Sequence, residues 1–194
     1  MLLVWFLWSG QTIAQQTAKD AFATSYRYEK AQNYPDAINA LLVIKDKGYL
    51  YDLRLGWLYY LSGNYANARL HYQSAVAAAP AAIEPRLGLT LPLMAQMRYD
   101  EVESVAKQIL MVDPSNFTAN LRLCMVLRYQ QKNPQALEIV RRMLKLYPTD
   151  VSFLAEQGLL LAATNEIADA KKSFEVVLTL DPENVTAKSY LSAN

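Results

Sequence analysis

Apolar residues along this chain recur at the spacing of an α-helix. Leu55 and Tyr59, four residues apart, share one helical face. Leu53, Trp57, Tyr60 and Leu61 follow the i, i+4, i+7/i+8 step on another face of the same segment. That second row returns as Leu87, Leu91 and Met94, then as Leu121, Met125, Arg128 and Tyr129, and then as Ala155, Leu159 and Ala162. Tyr26 stands at its head. The pattern predicts amphipathic helices throughout and an all-α fold. Prolines punctuate it: Pro80, Pro114, Pro148 and Pro182 stand 34 residues apart, each where a helix has to stop for want of an amide donor. Asn116, Asp150 and Asn184 follow two residues later and suit the N-cap of the next helix. Ala82 takes that place after Pro80, so one cap is missing. Pro35 and Pro134 fall where a helix begins, which proline tolerates. Pro92 falls inside one, and a kink is expected there.

The 34-residue step carries other residue types with it. Gly56, Ala68 and Tyr72 return three periods later as Gly158, Ala170 and Phe174. The small residues let a neighbouring helix approach the backbone, and the ring fills the space beside them. With Leu55, Gly56, Tyr59, Ala68, Tyr72, Ala75 and Pro80 at their spacings, the chain resembles the tetratricopeptide repeat family. The resemblance runs from about Ala18 to Asn194. It implies a right-handed α-solenoid of about five helix-turn-helix repeats, at roughly 18–48, 49–82, 83–116, 117–150 and 151–184, closed by a terminal helix at 185–193. One elongated domain is expected. The first repeat is shorter, matching through Tyr28, Tyr34, Ala37 and Leu41, with Ser25 in the glycine column. The third departs furthest, carrying Thr90, Val102 and Ala106 in the glycine, alanine and aromatic columns; the fourth has Cys124, Ala136 and Val140.

In this family the first helices of successive repeats line the concave face. The resemblance therefore makes the second row a candidate groove for a partner: Tyr26, then Leu53, Trp57, Tyr60 and Leu61, then Leu87, Leu91 and Met94, then Leu121, Met125, Arg128 and Tyr129. Both faces of the first helices are apolar, and only the packing face has an assured burial partner. An open apolar stripe of this kind marks a binding site, unless superhelical curvature or the N-terminal segment fills it. Nine of the thirteen tyrosines lie at or before Tyr72, which points to the N-terminal half, with Trp57 and Tyr60 as anchors. The Lys and Asn residues that chaperone-tail binders of the family place in the groove are absent, so an acidic C-terminal tail is a poor candidate ligand. The expected partner is another protein or peptide segment; self-association through the groove is the alternative.

Charge and chemistry narrow the remaining choices. Nineteen Lys and Arg against eighteen Asp and Glu argue against a nucleic-acid surface. A single histidine, His71, and a single cysteine, Cys124, leave no metal cluster, no internal disulfide and no catalytic pair. No phosphate loop, GxSxG or HExxH occurs, so an enzyme and a cofactor are both rejected. Cys124 sits in a packing column as a structural thiol. Residues 2–8 form an apolar run too short for the ~20 residues of a membrane span. Small residues up to Ala14 follow, giving the pattern of a secretory signal peptide at 1–14, although no Lys or Arg precedes Lys19. Export to a bacterial periplasm or beyond is expected, with a role in envelope assembly or secretion. The alternatives are a cytoplasmic chaperone holding an apolar client, and an apolar N-terminus lying on a membrane.

Overall fold

The computed structural model describes residues 3–45 and 47–193, with side chains given from residue 15 onward, so the candidate signal segment lies outside the side chains described. Eleven helices fill the described residues, which contain no strand. They are α1 (Leu3–Lys30), α2 (Tyr34–Asn39), α3 (Tyr49–Leu61), α4 (Tyr65–Ala78), α5 (Glu84–Ala95), α6 (Tyr99–Val112), α7 (Phe117–Tyr129), α8 (Asn133–Leu146), α9 (Val151–Ala163), α10 (Ile167–Leu180) and α11 (Val185–Ala193). None is long and apolar enough to cross a membrane, among the described residues. The fold is all-α, in helix-turn-helix pairs. Two compact units form, the first ending at Gln96 and the second beginning at Met97. The division falls inside the third repeat, the one that departs furthest from the repeat columns.

Helix ends follow the sequence signals. α4, α6, α8 and α10 each stop two residues short of Pro80, Pro114, Pro148 and Pro182. Asn116 Oδ1 accepts the Ala119 amide at 3.0 Å, Asp150 Oδ1 the Phe153 amide at 2.9 Å, and Asn184 Oδ1 the Ala187 amide at 3.1 Å. Each satisfies an orphan donor of the first turn. Where Ala82 leaves no cap, Arg86 ties the loop instead, donating to the carbonyls of Ala82 at 2.7 Å and Pro80 at 2.5 Å. Pro92 is buried in α5, and the helix runs on to Ala95. Only three residues follow it, so a single late backbone bond is lost.

The turn inside each repeat places one residue in the left-handed region: Gln32, Gly63, Met97, Gln131 and Asn165, with φ between 55° and 77°. From Gly63 onward they stand 34 residues apart. The Lys132 amide reaches Leu127 O at 2.8 Å and the Gln131 amide reaches Arg128 O at 2.9 Å, closing the helix end in a Schellman motif. Three of the five positions carry neither Gly nor Asn and so hold a conformation costing about 1 kcal/mol.

In the first unit α2 packs on both α1 and α3, α3 on α4, and α5 on both α3 and α4. Ala21, Ala37, Leu41, Ile44, Tyr51, Leu55 and Leu58 form one buried cluster across α1 to α3. The buried Tyr72 ring of α4 then lies against two helix backbones. A Cβ on Gly56 of α3 would stand 2.9 Å from it, and one on Gly88 of α5 only 2.2 Å. In the second unit α7 packs on α6, α8 and α9, α9 on α8 and α10, and α10 on α11. Phe117 and Phe153 meet edge to face at 5.2 Å. Phe174 covers Gly158, where a Cβ would lie 2.7 Å from its ring, and takes the Tyr190 ring of α11 at 4.5 Å. The terminal helix is therefore bound into this unit, with Ala187 fully buried.

Gly88→Ala is expected to destabilise the first unit by about 1–3 kcal/mol, because the Tyr72 ring has no free space to yield. Gly48→Ala, where a new Cβ meets nothing within 4 Å, is the control and should stay within ~0.5 kcal/mol. Gln131→Gly should stabilise the second unit by about 1 kcal/mol through relief of its positive φ. Urea denaturation of the three variants checks these signs; a neutral Gly88→Ala contradicts the ring-on-backbone packing.

Candidate functional site

Seven of the proposed groove residues lie on the first helices of the first unit and Tyr26 on α1. Tyr26 is 57% exposed and Trp57 36%, while Leu53, Tyr60, Leu61, Leu87, Leu91 and Met94 are half-buried. Three of them, Tyr26, Leu53 and Trp57, line a cleft of about 290 Å³ together with Phe22, Glu29, Leu50, Arg54 and Glu84. Leu87, Leu91, Met94 and Leu61 are not among its lining residues. Tyr60 supports Trp57 from the side, ring centroids 5.9 Å apart.

The floor of this cleft is polar, which the apolar row did not foretell. Arg54 is buried, its side chain 5% exposed, and its Nη1 meets Glu29 Oε2 at 2.5 Å. Its Nε donates to Ser25 Oγ at 3.2 Å. Glu29 Oε1 also accepts the Trp57 indole N–H at 2.6 Å. The Tyr26 ring stacks over the Arg54 guanidinium at 3.8 Å, a cation–π contact. One α1 carboxylate thus orients an arginine and an exposed tryptophan of α3. The spacing held the signal: Phe22, Tyr26 and Glu29 follow one helical step, as do Leu50, Leu53, Arg54 and Trp57.

In the second unit the four candidates are arranged differently. Leu121 and Met125 are half-buried and Tyr129 is exposed, stacked on Tyr99 at 5.1 Å. Arg128 is committed inside the unit: its Nε and Nη2 bind the Glu156 carboxylate of α9 at 2.8 and 3.0 Å. The fork of two parallel bonds raises the Arg128 pKa, and Glu156 is itself only 6% exposed. The cleft of this unit, about 380 Å³, is lined by Leu123, Leu127, Ile139 and Arg142 among others, and by none of these four. His71, half-buried, stacks on Tyr59 at 5.3 Å and places Nδ1 2.8 Å from Asp52 Oδ1.

The family model described as Tetratricopeptide repeat matches residues 22–83 and 121–185. The chain belongs to the tetratricopeptide repeat family. The stretch between the two matched segments holds α5 and α6, the repeat whose columns depart furthest. In solved structures the fold recurs in a tetratricopeptide repeat protein from Parabacteroides merdae, at a TM-score of 0.82 and 13% identity over 92% of this chain and 72% of that one. It recurs in the MamA protein, at 0.74 and 15% over 87% of this chain and 94% of that one. TTC0263 of Thermus thermophilus gives 0.69 and 15% over 91% and 98%. Human protein O-mannosyl-transferase TMTC1 is 28% identical over 137 residues, 69% of this chain but 16% of that protein's length. The tetratricopeptide fold supports protein–protein interaction, as a scaffold that is not in general an enzyme.

In the glycine column of the fourth repeat stands Cys124, with no exposed surface and its Sγ 3.9 Å from Ala136 O. Burial pushes its thiol well above the ordinary range, the Glu156 carboxylate pushes it the same way, and Arg128 offsets this in part. Native protein at pH 7.5 is expected to react with a thiol-specific maleimide at least a hundredfold more slowly than protein in 6 M guanidinium, a ratio read by mass spectrometry. Equal rates overturn the assignment of a buried structural thiol.

Proposed function

We propose that this tetratricopeptide protein is a non-enzymatic scaffold that grips a segment of a protein partner on the aromatic face of α1 and α3. The observation carrying this reading is the convergence of Tyr26, Leu53 and Trp57 on one cleft, with both rings exposed above a polar floor. Trp and Tyr are the side chains that most often supply binding energy at protein interfaces, each costing upwards of ~2 kcal/mol when removed from the centre of one. A ring already held by a hydrogen bond, as the Trp57 indole is by Glu29, loses little freedom on binding. The pattern of residues 1–14 adds export to a bacterial periplasm, with assembly or secretion at the envelope as the setting. That part rests on the apolar run and the small residues before Gln15.

The test is expression of the full chain in a Gram-negative host, followed by fractionation, crosslinking and sequencing of the mature N-terminus. A start at Gln15 in the periplasmic fraction supports export, and a retained Met1 in the cytosol overturns it. The Tyr26→Ala/Trp57→Ala double variant is expected to lose crosslinked partner at least tenfold, with its melting midpoint within a few degrees of the parent. Undiminished crosslinking by a folded double variant sinks the cleft as the binding face.

A further inference from the structure

Two carboxylates and one guanidinium line the cleft of the first unit, and they are not equally available. Arg54 is 5% exposed and covered by the Tyr26 ring, whereas Glu29 is 22% exposed and Glu84, at the first position of α5, is exposed. Glu84 Oε2 accepts the Tyr49 hydroxyl at 3.1 Å, and its other oxygen has no partner among the described residues. An entering group therefore meets negative charge between aromatic rings. An acidic partner would have to desolvate Glu84 against like charge. A cation gains twice, from the carboxylates and from the π-faces of Tyr26 and Trp57.

A second observation concerns what carries that cation. Arg54 Nη2 is buried and has no hydrogen-bond partner. Such an orphan donor is costly in a closed structure. Tyr26 is 57% exposed, and a turn of its ring off the guanidinium would uncover the donor. The acceptor that suits it is neutral and small, since Glu29 already answers the charge. A peptide carbonyl has those properties.

Building on the reading of this cleft as the binding face, we infer that it selects a lysine or arginine side chain on a partner peptide. The cation lies against Tyr26 and Trp57 and pairs with Glu84. A neighbouring backbone carbonyl of the peptide accepts from Arg54 Nη2, and Leu50, Leu53 and Phe22 take the flanking apolar side chain. The partner is thus a basic-apolar segment.

Three synthetic probes test this on the full chain: acetyl-Leu-Ala-Lys-Ala-Leu-amide and the same peptide with norleucine or Glu for Lys. The readout is the indole N–H resonance of Trp57 by NMR, assigned through its absence in Trp57→Phe. The lysine peptide is expected to shift that resonance and to bind at least tenfold more tightly than the norleucine peptide, with the glutamate peptide weaker still. Glu84→Lys is expected to invert the order of the lysine and glutamate peptides. Glu84→Gln keeps an acceptor for Tyr49 and should cut the lysine preference at least threefold. Equal binding of lysine and norleucine peptides overturns cation selection while leaving an apolar binding face standing. No shift with any probe also overturns it, and the crosslinking of the Tyr26→Ala/Trp57→Ala variant then judges the binding face separately. Full preference for lysine in both Glu84 variants removes Glu84 from the site and overturns the proposal as stated.

Discussion

An aromatic ring laid on a bare helix backbone is the contact that the helix packing depends on. Tyr72 of α4 lies against Gly56 of α3 and Gly88 of α5, so a single side chain sets the distance between three helices. Phe174 does the same for α9 through Gly158 and carries Tyr190 of α11 on its ring. Packing at interior density leaves no slack at such a point, and the missing Cβ is what the ring occupies. Where the column departs from glycine, the facing column shrinks. Cys124 goes with Val140, both of them buried, whereas glycine goes with Tyr72 or Phe174. The departure of the fourth repeat is thus an exchange of volume, a larger residue in one column and a smaller one in the other. That keeps the helix pair while erasing the motif.

This is why the fold was legible and the site only partly so. Helix ends are local events: a proline and an Asn or Asp cap act within one turn of themselves, so Pro114 and Asn116 could be read directly. The left-handed turn positions are equally regular, yet Gln32, Met97 and Gln131 are not residues that announce a positive φ. There the surrounding structure imposes the conformation against local preference. Gly88 was missed for a related reason: its role exists only because Tyr72 arrives from another helix. In the cleft, the apolar step found Tyr26, Leu53 and Trp57. The same step runs through Glu29 and Arg54, but charged residues on an apolar face read as solvated until a partner is placed opposite. Arg128 shows the converse. It sits correctly on its helix face, and only the arrival of Glu156, 28 residues on, shows that it is spent inside the unit.

Each unit therefore contains an arginine–glutamate pair joining successive first helices, Arg54 with Glu29 and Arg128 with Glu156, and each guanidinium has a tyrosine ring on it, at 3.8 and 4.7 Å. Such pairs add little net stability, because desolvation offsets the attraction, but breaking one partner out leaves a buried charge worth about 3–5 kcal/mol. Their value lies in orientation. An apolar interface between two helices tolerates small rotations and slips; a buried fork does not, since any slip strands the charge.

The two pairs are put to different use. Arg128 and Glu156 satisfy each other with two bonds, and the tyrosine above them is held by a second ring, Tyr99. In the first unit Glu29 divides its oxygens between Arg54 and the Trp57 indole, which leaves Arg54 with an unused donor and fixes Trp57 at the mouth of a cleft. A pair closed on itself is a staple. A pair with one donor left over, beneath an exposed ring and beside an exposed carboxylate, has capacity for a further partner. Both arginines make two hydrogen bonds, and the difference is that the remaining Nη2 of Arg54 is buried without a partner. On the proposed reading, an incoming peptide would find unfilled polar valence as well as apolar surface in the first unit, and polar valence is what turns a sticky face into a selective one.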